Sequence, residues 1–240
     1  MIKNVKIRLI QFLAFITLLT NLSCNDSSSY DIIIVGGGTS GVVSAIQSSR
    51  MGSKTLLIEE SNWLGGMMTS AGVSAMDGNY KLPSGFLKEF RDSLVSYYGH
   101  LDSLKTGWVS NMMFEPSVGN QILKNIANSQ KNLTIKYNSI VEVVQKNESF
   151  IVNLQSGLNY ESKVLIDATE LGDLIPMLNL PYSIGMDSNK KYGEDIAPDV
   201  SNNIIQDLTY VMILKDFHKD MTIDKPKNYD RSEFICSYSS

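Results

Sequence analysis

One turn between a buried strand and a helix constrains this chain more than any other feature. Residues 30–35 form a nearly continuous apolar run, which is typical of a parallel strand buried on both faces. The segment GGGTSG follows at once, and residues 42–51 have a helical pattern. In such a turn Gly36 permits the tight bend, Gly38 lets a ligand approach the backbone, and Gly41 lets the helix pack close to the strand. The pattern predicts a Rossmann-like α/β unit.

An acid at the end of the second strand fits this turn. Residues 55–58 are a second apolar run, and Glu59 ends it 18 residues after Gly41. The free N–H groups of the helix N-terminus attract a pyrophosphate, and an acid at this distance accepts hydrogen bonds from a ribose hydroxyl pair. The acid also disfavours a 2′-phosphate, and hence NADP. The combination predicts a site for an ADP-containing dinucleotide, either FAD or NAD. A purely structural glycine loop would leave Glu59 unexplained.

Periodicity extends the α/β pattern along the chain. Beyond the second strand we predict helices over residues 86–98 and 118–127, and strands over residues 133–137, 140–145, 150–154, 163–166 and 208–214. Turn residues separate the strands between 133 and 166, so these strands form a β-meander that returns to the parallel sheet.

Two further segments favour FAD over NAD. The sequence WLGGM occupies residues 63–67, and DATELGD occupies residues 167–173 at the end of the last sheet strand. Together with the glycine turn, they resemble the FAD-dependent oxidoreductases of the glutathione-reductase structural type, in the branch grouped with the heterodisulfide reductase-like flavoproteins. Segments 114–116 and 206–214 also look like this family, so the resemblance covers residues 30–234.

The resemblance implies a set of cofactor-binding residues. These are Gly36, Gly38, Thr39, Ser40 and Gly41 at the pyrophosphate, Glu59 at the adenosine ribose, Gly65, Gly66 and Met67 toward the ribityl chain, and Ala168, Thr169, Gly172 and Asp173 in the wall beside the cofactor. Some of them also fit simpler roles, since Met67 could fill a packing gap and Asp173 could cap a helix. Many relatives carry glycine where this chain has Glu170, which implies an altered contact there.

Composition restricts the chemistry that the chain can perform unaided. The net charge of −4 argues against a nucleic-acid partner. Two cysteines exclude a disulfide scaffold and any metal or iron–sulfur site built from four cysteines of this chain. The two histidines, His100 and His218, are predicted to lie at the surface. The sequence therefore names no catalytic residue and no metal site, and a bound cofactor is expected to supply the chemistry.

The first thirty residues predict export. Residues 3–8 carry three basic side chains, and the apolar run 9–19 is too short to span a bilayer, as in a signal peptide. Cys24 follows a small residue and precedes a polar tether, which resembles a bacterial lipoprotein cleavage site with a lipidated cysteine. Asn21 departs from that pattern. A plain secretory signal and an uncleaved anchor are the alternatives, so the predicted location is the cell envelope, either membrane-anchored or secreted into the periplasm or beyond.

These observations give a domain plan and a predicted function. The plan has a signal peptide over residues 1–23, a tether over 24–29, an FAD-binding domain over 30–180 and the incomplete beginning of a substrate domain over 181–240. The predicted function is hydride transfer between FAD and a small organic substrate, with a sugar as one candidate. A redox partner (with or without an iron–sulfur cluster) or a missing C-terminal half is expected to complete the activity. The alternatives are a truncated, non-catalytic surface lipoprotein that keeps this fold and an NAD-binding dehydrogenase domain.

Overall fold

Strands and helices alternate along the part of the chain that the computed structural model describes, residues 28–76, 78, 80–107, 110–206, 211 and 215–232. The strands are β1 (Ser28–Val35), β2 (Thr55–Ile58), β3 (Leu133–Lys136), β4 (Val141–Lys146), β5 (Ser149–Leu154) and β6 (Asn159–Asp167). The helices are α1 (Thr39–Arg50), α2 (Gly85–Tyr98), α3 (Pro116–Asn128), α4 (Leu174–Met177) and α5 (Asn189–Tyr192), with 3₁₀ turns at Gly66–Met68 and Leu101–Leu104.

All six of these strands form one sheet in the order β3-β2-β1-β6-β5-β4. β1 lies between β2 and β6 and is parallel to both, with Ile33 opposite Leu56 on one side and Leu165 on the other. β3 continues the parallel part beside β2, whereas β5 and β4 add an antiparallel edge beside β6. The predicted α/β class, the parallel sheet and the meander are thereby confirmed. The meander extends this same sheet.

The centre of the sheet, β2 and the C-terminal part of β1, is buried on both faces, as its apolar strands predict. Successive side chains of a strand point to opposite faces, so Ile33 and Ile34 enter different clusters. The Ile34 cluster packs against α1, α2 and α3, and it includes Phe90 and Leu123. All four residues of β2 are buried. Burying each large apolar side chain contributes about 1.5–3 kcal/mol, which makes the strands near the glycine turn a rigid support.

Two elements start earlier than the sequence pattern predicts. The first helix begins at Thr39 rather than at residue 42, because Gly41 fits inside its first turn. β6 begins at Asn159 rather than at residue 163, because its first half pairs with β5 while the strand also pairs with β1. The other predicted helices and strands up to residue 154 agree with the observed ones within two residues.

An ion pair joins the C-terminal end of α1 to α2. Arg50 binds Glu89 in two places, with nitrogen–oxygen distances of 2.7 and 2.8 Å. This guanidinium lowers the pKa of the Glu89 carboxyl below its ordinary value. A carboxyl with a lowered pKa stabilises the fold fully above its ordinary pKa and loses that contribution as the pH falls through the lowered pKa.

We therefore expect Glu89→Gln to lower the free energy of unfolding at neutral pH by about 1 kcal/mol or less, because the pair is partly exposed. Urea unfolding of the wild type, Glu89→Gln, Arg50→Met and the double variant measures the coupling between the two side chains. The coupling should vanish in acid. A coupling that is equal at neutral and at strongly acid pH would contradict the assignment.

The residues after α4 contain little regular structure. A bridge joins Met186 to Asn202 around α5. The chain divides at residue 209 into two units, and among the described residues of the second unit there is no α-helix or strand. The predicted strand over 208–214 lies outside the described residues except for Val211, and the predicted signal peptide lies wholly outside them. No helix in the described part of the chain is long and apolar enough to cross a bilayer.

Candidate functional site

A cleft of about 480 Å³ opens at the carboxyl ends of the three neighbouring parallel strands β2, β1 and β6. In a sheet of this kind the crevice forms where connections leave neighbouring strands in opposite directions, and ligands bind there. This divergence occurs at β1, because the chain continues from β1 to β2 on one side of it and later places β6 on its other side. The cleft is lined by Val35, Gly36, Gly38, Ile58, Glu59, Glu60, Ser61, Gly66, Ser70, Ser139, Ile140, Val141, Ala168, Thr169, Glu170, Leu171, Asp173 and Met177.

The glycine turn leaves no space for side chains at its first and last glycines. Gly36 has a φ of +100°, and a Cβ there would overlap the carbonyl of Ala168. A Cβ on Gly41 would overlap the carbonyl oxygen of Gly36 and lie 3.1 Å from the Cβ of Ala168. The end of β6 therefore presses against the turn, which explains why both positions need glycine.

The N-terminus of α1 follows directly on Gly38, which lines the cleft. Gly38 is extended, with φ −60° and ψ 176°, and its carbonyl accepts the first bond of the helix from Val42 at 2.9 Å. No side chain caps this helix end. The N–H groups of residues 39–41 precede that first bond, so they are available to an anion. Thr39 Oγ1 donates to the carbonyl of Gly65 at 2.9 Å and so fixes the next loop against the helix.

Glu59 is held by the backbone around it. Its Oε2 accepts a hydrogen bond from the N–H of Gly37 at 2.6 Å, and its Oε1 accepts one from the N–H of Ser61 at 2.9 Å. Each carboxylate oxygen has a second lone pair, so both remain able to accept ribose hydroxyls. The sequence pattern predicts the ribose contact but misses this brace. It also misses Gly37, where a Cβ would lie 2.7 Å from Glu59 Oε2.

The paired glycines after β2 have different positions. Gly65, with φ +109°, pairs with Gly38, and a Cβ there would lie 2.7 Å from Thr69 and Leu123 side-chain atoms. Gly66, with φ +52°, lines the cleft. Met67 is 59% exposed and is not one of the lining residues. The first glycine therefore secures packing behind the turn, whereas the second borders the ligand space.

The segment after β6 is folded by one carboxylate. Asp167 accepts hydrogen bonds from the N–H and the hydroxyl of Thr169, at 3.0 and 2.7 Å, and from the N–H of Leu174 at 3.1 Å. Thr169 Oγ1 accepts from the N–H of Asp173 at 2.7 Å, and Gly172 turns the chain with φ +72°. Asp173 precedes α4, but its side chain makes no capping bond. Asp167 positions this wall.

The sequence pattern does not predict the wall of the cleft that faces the segment after β6. Ser139, Ile140 and Val141 follow β3 and line the cleft. Ser139 N–H donates to the carbonyl of Glu59 at 3.0 Å, which ties this loop to the end of β2. The sequence contains a signal for this wall, because β3 is predicted and the carboxyl ends of parallel strands meet at one edge of a sheet.

Of the predicted site residues, the structure brings seven to the surface of the cleft. These are Gly36, Gly38, Glu59, Gly66, Ala168, Thr169 and Asp173. Thr39, Ser40 and Gly41 form the helix start beside it, and Gly65, Met67 and Gly172 lie in the adjoining loops. Neither His100 nor His218 lines the cleft, and in the described part of the chain no three metal-ligating side chains lie together.

One buried hydroxyl lies near Glu59. Among the described residues, the hydroxyl of Tyr137 has no hydrogen-bond partner, and the Nζ of Lys124 lies 5.0 Å from the centre of its ring. Burial raises the pKa of Tyr137, with a smaller contribution from the negative charge of Glu59. The phenol is therefore neutral at physiological pH, and the side chain packs against the cluster that contains Ile34.

Comparisons with known proteins agree with this geometry. Residues 31–236 match the family described as FAD dependent oxidoreductase. A tRNA uridine 5-carboxymethylaminomethyl modification enzyme from Lactococcus lactis subsp. cremoris is 27% identical over 174 residues, which are 67% of this chain and 28% of the relative. The chain thus spans little more than a quarter of that relative's length.

Two solved structures with dehydrogenase in their names are also similar to this chain. A flavoprotein/dehydrogenase from Cytophaga hutchinsonii is 16% identical, with a TM-score of 0.46, over 67% of this chain and 44% of that one. L-proline dehydrogenase from P. horikoshii is 20% identical, with a TM-score of 0.36, over 59% of this chain and 22% of that one.

Proposed function

Because the chain belongs to the family of FAD-dependent oxidoreductases, we propose that its cleft holds FAD and that the whole protein transfers a hydride between the flavin and a small organic substrate. The observation that carries the proposal is the glycine turn braced by Glu59, whose two oxygens accept the N–H groups of Gly37 and Ser61. FAD supplies the redox chemistry when it is bound. The chain supplies binding and orientation.

The residues around the cleft fit the parts of FAD in order. Gly36 and Gly38 carry no side chain that would cover the backbone at the uncapped start of α1. A pyrophosphate can therefore accept hydrogen bonds from the free N–H groups there. Glu59 faces the adenosine ribose. Gly66 and Thr169 border the remaining length of the cleft, toward the ribityl chain. This division of roles orients the cofactor along the edge of the sheet.

The two alternatives are less well supported. An NAD-binding dehydrogenase domain shares the glycine turn but does not account for the loop at Gly65–Gly66 or the folded wall after β6, which the family resemblance connects with FAD. A non-catalytic remnant would be expected to lose its ligand residues, yet Gly36, Gly41 and Glu59 are all retained in mutually consistent geometry.

The test is the identity of the nucleotide bound to the purified full chain. A visible flavin spectrum, followed by release of near-stoichiometric FAD, would support the proposal. Sugars, alcohols and amines are then added without oxygen, and loss of the visible flavin band identifies the substrate class. A folded, colourless protein that takes up neither FAD nor NAD would overturn the proposal, whereas released NAD would favour the dehydrogenase alternative.

We also propose that the protein is exported and anchored by a lipid on Cys24, and that it acts on a substrate of the cell envelope such as a sugar. This proposal is supported by the basic residues Lys3, Lys6 and Arg8, the apolar run 9–19 and the small residue before Cys24. In a bacterial host we expect the wild-type chain to incorporate labelled palmitate and to sediment with membranes. The Cys24→Ser variant should do neither. Equal labelling of the two chains would contradict lipidation at this cysteine.

A further inference from the structure

An acidic side chain lies against the two glycines that border the pyrophosphate space. Glu170 Oε1 is 3.2 Å from the position that a Cβ on Gly38 would take, and it overlaps the position of a Cβ on Gly66. The partial positive charge at the N-terminus of α1 attracts a carboxylate to this place, as it attracts a phosphate. The side chain and a ligand phosphate therefore compete for the same backbone.

No described side chain around the cleft neutralises this carboxylate. Within the described part of the chain, Glu170 makes no hydrogen bond or ion pair. The cleft is also lined by Glu59, Glu60 and Asp173, and none of its lining residues is lysine, arginine or histidine. The charge of Glu59 is partly compensated by hydrogen bonds from two backbone N–H groups, whereas Glu170 accepts no hydrogen bond from a described residue and has only the weaker attraction of the helix N-terminus.

The Glu170 carboxylate therefore repels a pyrophosphate bound in the cleft. Two like charges a few ångströms apart at a protein surface disfavour each other enough to change a binding constant by about tenfold or more. The flexible Glu170 side chain can turn away from Gly38 and Gly66, but its backbone keeps the carboxylate at the edge of the cleft.

We propose that Glu170 weakens the binding of pyrophosphate-containing nucleotides and so sets how tightly this cleft holds FAD. The carboxylate turns away from Gly38 and Gly66 when the pyrophosphate binds, and its remaining charge opposes the phosphates. This proposal rests on the proposed function, because it requires the cleft to hold the pyrophosphate of FAD.

The test compares ligands that differ in phosphate charge. Dissociation constants of the full chain are measured for FAD, ADP and adenosine in the wild type and in Glu170→Gln, which keeps the size of the side chain. We expect FAD and ADP to bind about tenfold more tightly to the variant, and adenosine to bind equally to both, since it has no phosphate. The gain should shrink as salt is added. Glu148→Gln, an exposed change in the turn between β4 and β5, is the matched control and should behave as the wild type.

The outcomes separate this proposal from the proposed function. If the wild type binds FAD and ADP, but Glu170→Gln binds them equally or more weakly, Glu170 is not an opposing charge and only this proposal is overturned. An equal gain for adenosine would place the effect outside the phosphates and would also overturn it. If neither chain binds FAD, ADP or adenosine, both proposals fail. Thermal unfolding of the two variants verifies that each remains folded.

Discussion

Replacing Gly41 by alanine is expected to weaken FAD binding by about a hundredfold or more and to lower the free energy of unfolding by about 1–3 kcal/mol. The new Cβ would overlap the carbonyl oxygen of Gly36 and press on the Cβ of Ala168. The obstacle is backbone rather than a flexible side chain, so α1 has to move away from β1. That movement shifts the helix N-terminus and its N–H groups away from the phosphates.

The measurement pairs FAD titration with urea unfolding of the full chain. Gly119→Ala is the matched control, because Gly119 is also a buried helical glycine but its new Cβ would meet side-chain atoms of Phe114, 2.6 Å away, outside the cleft. We expect the control to change stability while keeping FAD affinity near that of the wild type. If Gly41→Ala binds FAD as the wild type does, the turn does not hold the pyrophosphate in the way described.

The sequence was sufficient for the elements whose signals are local. A continuous apolar run, a glycine turn and a following helix are consecutive, and the structure places β1, the turn and α1 accordingly. The early start of β6 was not predictable in this way. Asn159 and Glu161 alternate with Tyr160 and Ser162, and pairing with β5 and β1 on both sides turns this mixed segment into a strand.

The hydrogen bonds within the site could not be predicted either, because they join segments that are far apart in the sequence. Gly37 and Glu59 are 22 residues apart, and no periodicity indicates that the N–H of one donates to the carboxylate of the other. Asp167 likewise appears in sequence only as the end of a strand, yet it folds the wall through Thr169 and Leu174. Hydrogen bonds between distant segments depend on the packed sheet, so they become visible only when the fold is known.

Glu59→Gln provides the second large effect, opposite in sign to that of Glu170→Gln. The amide keeps the shape of the side chain but replaces one acceptor oxygen by a donor NH₂, so either the Gly37 or the Ser61 N–H loses its partner. Losing a charge-assisted bond in this half-buried position should lower the free energy of unfolding by about 2 kcal/mol. FAD, ADP and adenosine should all bind about a hundredfold more weakly, because each carries the ribose hydroxyls that Glu59 is proposed to accept.

The matched control separates the brace from the ribose contact. Asp31→Asn changes a carboxylate that also accepts a backbone hydrogen bond, from Lys54 at 2.6 Å, in the middle of β1 and outside the cleft. It should perturb stability without changing any of the three dissociation constants. If Glu59→Gln is destabilised yet binds adenosine as tightly as the wild type does, Glu59 only braces the turn. Loss of adenosine affinity in Glu59→Gln would assign the ribose to Glu59. Tighter binding of FAD and ADP, but not of adenosine, in Glu170→Gln would assign the phosphates to the neighbourhood of Glu170, because adenosine contains a ribose and no phosphate.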